Sequence, residues 1–115
     1  MAIKFNKEAY DHAVRLIEGK LEVNTGNDNW QDIKPTLTEE VEFLDAHTLH
    51  EYGLWFLGIN TEADPESKNK YEYPYGDLKI VHESALLASL EKAEKHNHHE
   101  IKKHIQELLD MIEEN

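Results

Sequence analysis

Eight histidines in 115 residues raise the first chemical question, because a neutral imidazole can ligate zinc, nickel or copper and can carry a proton near neutrality. Four of them, His96, His98, His99 and His104, gather around Glu100 near the C-terminus. Their spacing argues against a ready-made metal site. His99 and His104 are five positions apart, about 140° around a helix, whereas an H-E-x-x-H site needs an i, i+4 pair. A polar helix–helix turn using these residues as solvated or carbonyl-capping groups explains them more simply. The expectation is no bound metal, with His96, His98, His99 and His104 as the weak candidates. His47 and His50 also share a face beside Glu51, but no signature supplies a third ligand.

His82 is the candidate of another kind. Counted at 100° per residue from an Asp77 cap, it falls in the middle of an apolar helix face made of small residues. As a general base it would need a pocket, which Tyr73, Tyr75 and Trp55 could line. The structural alternative is a buried ring bonded to Asp77, Tyr73 or Tyr75, because an unpaired buried polar group costs about 1–3 kcal/mol. That second role is the expectation, so no catalytic residue is assigned and His82 stays a weak candidate. No glycine-rich phosphate loop or G-x-S-x-G elbow is present, and the carboxylate pairs Glu39/Glu40 and Glu113/Glu114 are sequence neighbours on polar segments. The cluster from Asn24 to Asn29 lacks the acid spacing of a calcium loop. With no cysteine, a thiolate metal site, a disulfide framework and a cysteine nucleophile are all excluded.

The charge balance points to partners. Asp and Glu number 24 against 12 Lys and Arg, a net charge of −12, which opposes direct binding to a phosphate backbone. No Lys or Arg occurs between Lys34 and Lys68, where Glu39, Glu40, Glu42, Asp45, Glu51, Glu62, Asp64 and Glu66 all fall. Such a band keeps a protein solvated, and it can also meet a basic partner or imitate nucleic acid.

The elements that must position these residues read as helical. Asn6 caps a first helix over 7–18, Phe5 and Tyr10 stand as a hydrophobic staple, and Tyr10, Ala13, Val14 and Ile17 form the inward stripe. Gly19 is placed to end it. Thr38 opens a second helix with Val41 and Leu44 facing inward, and 46–57 continues as a helix apolar on most sides. Tyr71, Tyr73 and Tyr75 alternate around Pro74, which favours an extended Tyr73 and a short edge strand over 70–76. A central helix runs from Asp77 to Lys95, Asn97 ends it, and a last helix runs from His98 to Glu113 on an Ile101, Ile105, Leu108, Leu109, Ile112 stripe. The predicted fold is mainly α, four to five helices around a C-terminal antiparallel helical hairpin, in a single helical domain over residues 1–115. Val81, Ala85, Ala88, Tyr52, Phe56, Ile105 and Leu108 form the predicted core.

Between Tyr52 and Ala93 the chain carries W-F-L-G-I at Trp55–Ile59, E-A-D-P-E-S-K at Glu62–Lys68, Y-P-Y-G-D at Tyr73–Asp77 and V-H-E-S-A-L-L-A at Val81–Ala88. This string resembles a group of short, uncharacterised bacterial proteins, some phage- or prophage-encoded. The group's pattern has a basic residue after the histidine, where Glu83 stands here. The resemblance implies a helix ending in W-F-L-G-I and implies no activity, so no site residue is carried over from it.

Together these features predict a small acidic protein that works by non-enzymatic protein interaction, with no cofactor and no membrane or nucleic-acid backbone contact. Its interaction candidates are Glu39, Glu40, Glu42 and Asp45 in the acidic band and exposed Tyr71, Tyr73 and Tyr75. The alternatives are a His-based metal protein, a small enzyme with a pocket around His82, and an acidic nucleic-acid mimic. The absence of an apolar leader or of about 20 consecutive apolar residues reads as a cytoplasmic address.

Overall fold

The computed structural model describes residues 3–19, 23–25 and 29–114. Its element order is β1 (Ile3–Phe5), α1 (Lys7–Gly19), β2 (Val23–Asn24), α2 (Trp30–Ile33), α3 (Leu37–Ala46), α4 (Leu49–Gly53), β3 (Phe56–Asn60), β4 (Tyr71–Pro74), β5 (Val81–His82), α5 (Glu83–Lys95) and α6 (His99–Glu114). The fold is α+β, which overturns the mainly α expectation. β3 is the middle strand of an antiparallel β1-β3-β4 sheet, and β2 pairs in parallel with β5.

The main cause of that correction is the segment read as a helix over 46–57. There α3 ends at Ala46, a separate one-turn helix covers Leu49–Gly53 behind a reciprocal Thr48–Glu51 box, and Phe56–Asn60 is a strand. A short run that is apolar on all sides fits a doubly covered strand as well as a buried helix. What selects the strand is non-local pairing with Ile3–Phe5 on one edge and Tyr71–Pro74 on the other. Gly58 is required in this strand. A Cβ there would stand 2.8 Å from Tyr73 Cδ2 and 3.2 Å from both Ile101 Cδ1 and Ile3 Cγ2.

α1 forms as its pattern dictates. Ala9, Ala13 and Ile17 are buried, and the Phe5 and Tyr10 rings meet edge to face, centroids 5.8 Å apart. Asn6 does more than cap. Its Oδ1 accepts from Ala9 N, while its Nδ2 donates to Gly53 O and Phe56 O, tying the helix start to β3. Gly19 lies inside the helix and no described glycine has positive φ, so it is not the left-handed terminator expected.

α5 starts at Glu83, six residues later than Asp77. Asp77 instead folds a tight turn, its Oδ1 accepting from Lys79 N and Ile80 N, and Leu78 adopts a left-handed φ of 72°. This local bonding competes with helix in the way short acidic side chains commonly do. The end of α5 is as expected: Asn97 has φ 59°, its N–H donates to Glu94 O, and His98 N donates to Ala93 O. That is a Schellman turn. It returns α6 against α5, while α5 also packs on β4, α6 on β1, and α1 on β3 and α6.

Tyr52, Val81, Ala85, Ile105 and Leu108 are buried as predicted, whereas Ala88 and Phe56 are half-exposed. Among the described residues no helix is long and apolar enough to cross a membrane.

Candidate functional site

The aromatic run placed on the surface by sequence reading is largely inside. Tyr73 and Tyr75 are both 0% exposed, which removes them as interaction residues. Tyr71 is half-exposed, with its ring lying where a Gly53 Cβ would be. Tyr73 is not extended before Pro74 but left-handed, at φ 68°. A bulky residue in that region is held at a cost of about 1–3 kcal/mol. Burial of its ring over Gly58, a hydrogen bond between its hydroxyl and His98 Nδ1, and the Ser89 hydroxyl donating to Pro74 O at 2.7 Å hold it there. Burial, then the nearby Glu72 charge, pushes the Tyr73 phenol up to about 12.

Tyr75 donates its one hydroxyl hydrogen to Leu54 O at 2.6 Å. The 2.7 Å contact with His12 Nδ1 therefore has the imidazole as donor, which fixes its tautomer. Stacking on Trp55 at 5.4 Å completes this internal polar cluster, and burial raises the Tyr75 phenol far above its usual range.

His82 is 5% exposed and sits in β5 at the N-cap of α5 rather than midway along a helix face. Its Nε2 is 3.0 Å from Asp77 Oδ2. The ring N–H does not align on that oxygen, and neither ring nitrogen has a geometrically good hydrogen bond. The ring faces Trp30, with centroids 5.9 Å apart. Burial acts to raise the Asp77 carboxyl, but the His82 imidazole and the Ile80 and Lys79 N–H groups outweigh it, and the carboxyl ends below its ordinary value. The ring is thus buried against the 77–80 turn, beside Asp77, without the hydrogen bond expected of it.

The C-terminal histidines diverge. His98 turns inward to Tyr73, its basicity lowered by burial and then by His96. His96 and His98 rings stack at 6.1 Å. His99 is exposed at the start of α6, and His104 stacks on Phe5 at 3.9 Å with Nδ1 on Glu100 O. Among the described residues no group of three His, Asp or Glu side chains converges to hold a metal ion. His47 and His50 part in the same way: His47 approaches Glu51 at 3.4 Å and His50 approaches Glu8 at 2.7 Å.

The acidic band gives the surface feature. α3 starts one residue earlier than expected, with Thr36 as cap and a reciprocal bond to Glu39. It docks by one edge: Glu40 accepts from Tyr52 OH at 2.6 Å and Lys68 Nζ at 3.3 Å, and Phe43 stacks on His47 at 4.2 Å. Burial and Glu40 together raise the Tyr52 phenol beyond its usual range. No residue of α3 is buried. Val41, expected to face inward, is 49% exposed, and Leu37 one turn earlier is 67% exposed. Asp45 is exposed one turn beyond Val41, Glu42 and Glu39 are exposed farther round the helix, and Glu40 is committed to the fold.

Sequence reading found the acids but not the apolar pair. The Leu37–Val41 i, i+4 spacing was a signal, but periodicity alone cannot tell a core stripe from a docking stripe. Beside α3 a groove of about 220 Å³ runs against the 77–79 turn, lined by Glu39, Glu42, Phe43, Ala46, His47, Asp77, Leu78 and Lys79. Comparison with protein-family models, with curated proteins and with solved structures gave no match.

Proposed function

We propose that this protein is a non-enzymatic protein-interaction module that receives a basic, partly apolar partner on the outer face of α3. The observation that carries the reading is a ten-residue helix that buries none of its residues and exposes Leu37 and Val41 on successive turns. Helices that fold only for stability bury their apolar stripe, and exposed stripes rimmed by polar residues mark contact surfaces. Glu42 and Asp45 give that stripe a negative rim. With the chain at −12, charge favours encounter with a cationic surface and disfavours nucleic acid and a second copy of itself.

The test is affinity capture from source-cell lysate with the wild-type chain, with Leu37→Ser/Val41→Ser, and with Leu87→Ser as control, since Leu87 is 51% exposed on a different helix. A basic protein retained by wild type and by the control, released by salt, and lost from the α3 double variant is the expected result. Identical partner sets for all three chains would refute the assignment of the surface.

A further inference from the structure

The groove beside α3 has the chemistry of a single side-chain anchor. Its lining joins apolar Phe43, Ala46 and Leu78 to the acidic residues Glu39, Glu42 and Asp77. Against these three negative charges stands one lining cation, Lys79. Glu39 is engaged at Thr36 N and Asp77 at Lys79 N and Ile80 N, whereas Glu42 forms no hydrogen bond or ion pair among the described residues. The Phe43 and His47 rings, stacked within 21° of parallel, put aromatic surface beside the acids.

We propose that this groove anchors one arginine of a basic polypeptide partner. The inference rests on the α3 reading above and adds the residue the partner must supply. An arginine stem lays its methylenes on apolar surface while the head stays at the polar rim. The planar guanidinium stacks on aromatic faces and meets a carboxylate through two parallel N–H bonds, which the ammonium of lysine cannot do. The stacked Phe43 and His47 pair provides the aromatic surface and Glu42 the unpaired carboxylate. A second copy of the chain is repelled by its own net charge of −12, and a phosphate backbone is repelled by the same acidic residues.

The test uses the isotope-labelled full chain and a short capped peptide, acetyl-Ala-Arg-Ala-amide, at low salt, followed by amide chemical shifts. A matched peptide with norleucine in place of arginine and free spermidine are the comparison ligands. We expect shifts at Phe43, Ala46, His47 and Leu78 with the arginine peptide, weakened by added salt. Glu42→Gln should weaken binding about 2- to 5-fold and Lys79→Gln should strengthen it by about the same factor, the scale of one exposed charge pair. Both residues are exposed, so neither change threatens the fold. No shifts in the groove, equal binding of the norleucine peptide, or weaker binding by Lys79→Gln would overturn the proposal. Spermidine binding as tightly as the arginine peptide would overturn it in favour of a polyamine site. Loss of the captured partner in Leu37→Ser/Val41→Ser with no arginine response would leave the α3 surface standing and remove only the anchor.

Discussion

Gly76→Ala tests the turn that shapes the groove and lies against His82. Gly76 bridges to Val81, and Asp77 N donates to Ile80 O at 3.1 Å. A Cβ at position 76 would press on the Ile80 carbonyl oxygen closer than real Cβ atoms come, and would stand 2.8 Å and 2.9 Å from two carbons of the Trp55 ring. Backbone and a buried indole cannot both retreat cheaply. Opening the turn loses the Asp77–Ile80 bond, a net contribution of about 1 kcal/mol, and moving Trp55 adds an overpacking cost of about 1–3 kcal/mol. The expected destabilisation is therefore about 2–4 kcal/mol, a large part of a typical domain's stability of about 5–15 kcal/mol. Urea unfolding followed by tryptophan fluorescence measures it. Gly19→Ala is the internal control, because nothing lies within 4 Å of its Cβ position and the residue is helical. It should be neutral or stabilise by up to about 1 kcal/mol. A Gly76→Ala chain within about 0.5 kcal/mol of wild type would show that the 76–81 turn is not built as described.

Two further outcomes follow from ionisation. Of the five tyrosines, four have raised phenol pKa values: Tyr10, where burial and then Glu107 act, and the buried Tyr52, Tyr73 and Tyr75, Tyr73 to about 12. A raised folded value means a stabilisation present below the usual value near 10 and lost as pH rises toward 12. Absorbance titration should show the three buried phenols ionising only together with unfolding, and ionisation of all five by about pH 10.5 in a folded chain would contradict their burial. Asp77 is the opposite case: its lowered value stabilises the fold above the ordinary carboxyl range, and that stabilisation is lost as pH falls through the folded-state value. Asp77→Asn should therefore be less stable than wild type near neutrality, with the gap closing in acid. A gap that stays constant down to about pH 2.5 would mean the Asp77 carboxylate is not what holds the turn.

The structure also explains why reading His82 came out half right. Its burial and its place beside Asp77 were legible because a histidine among small apolar residues must find a polar neighbour or lose stability, but the expected hydrogen bond to Asp77, Tyr73 or Tyr75 is not made. Its place in the fold was not, because the 100° count started from Asp77. That residue bonds Lys79 and Ile80 locally and delays the helix to Glu83. The tyrosines erred for a related reason. Alternation says that successive side chains point to opposite sides of a strand, but Tyr73 takes a left-handed turn within it, and both Tyr73 and Tyr75 then enter the core. The candidate surface was legible as acid content only, since exposure of Leu37 and Val41 depends on which edge of α3 meets Tyr52, Lys68 and the 77–79 turn.

What the sequence determined alone is whatever a single element decides within itself. The α1 and α6 stripes, the Asn6 cap, the Phe5–Tyr10 staple and the Asn97 helix end all follow from side chains within one or two turns of each other, where spacing fixes geometry. The negative band from Glu39 to Glu66 follows from composition. The tertiary structure alone decided that Phe56–Asn60 is a strand, that Ile3–Phe5 and Tyr71–Pro74 pair with it, and that α3 stays on the surface. Those outcomes rest on hydrogen bonds and burial between residues well separated in sequence, such as Ile59 opposite Tyr71 and Phe5 opposite Gly58. No local pattern encodes which distant backbone will satisfy a strand's donors and acceptors, only that some backbone must.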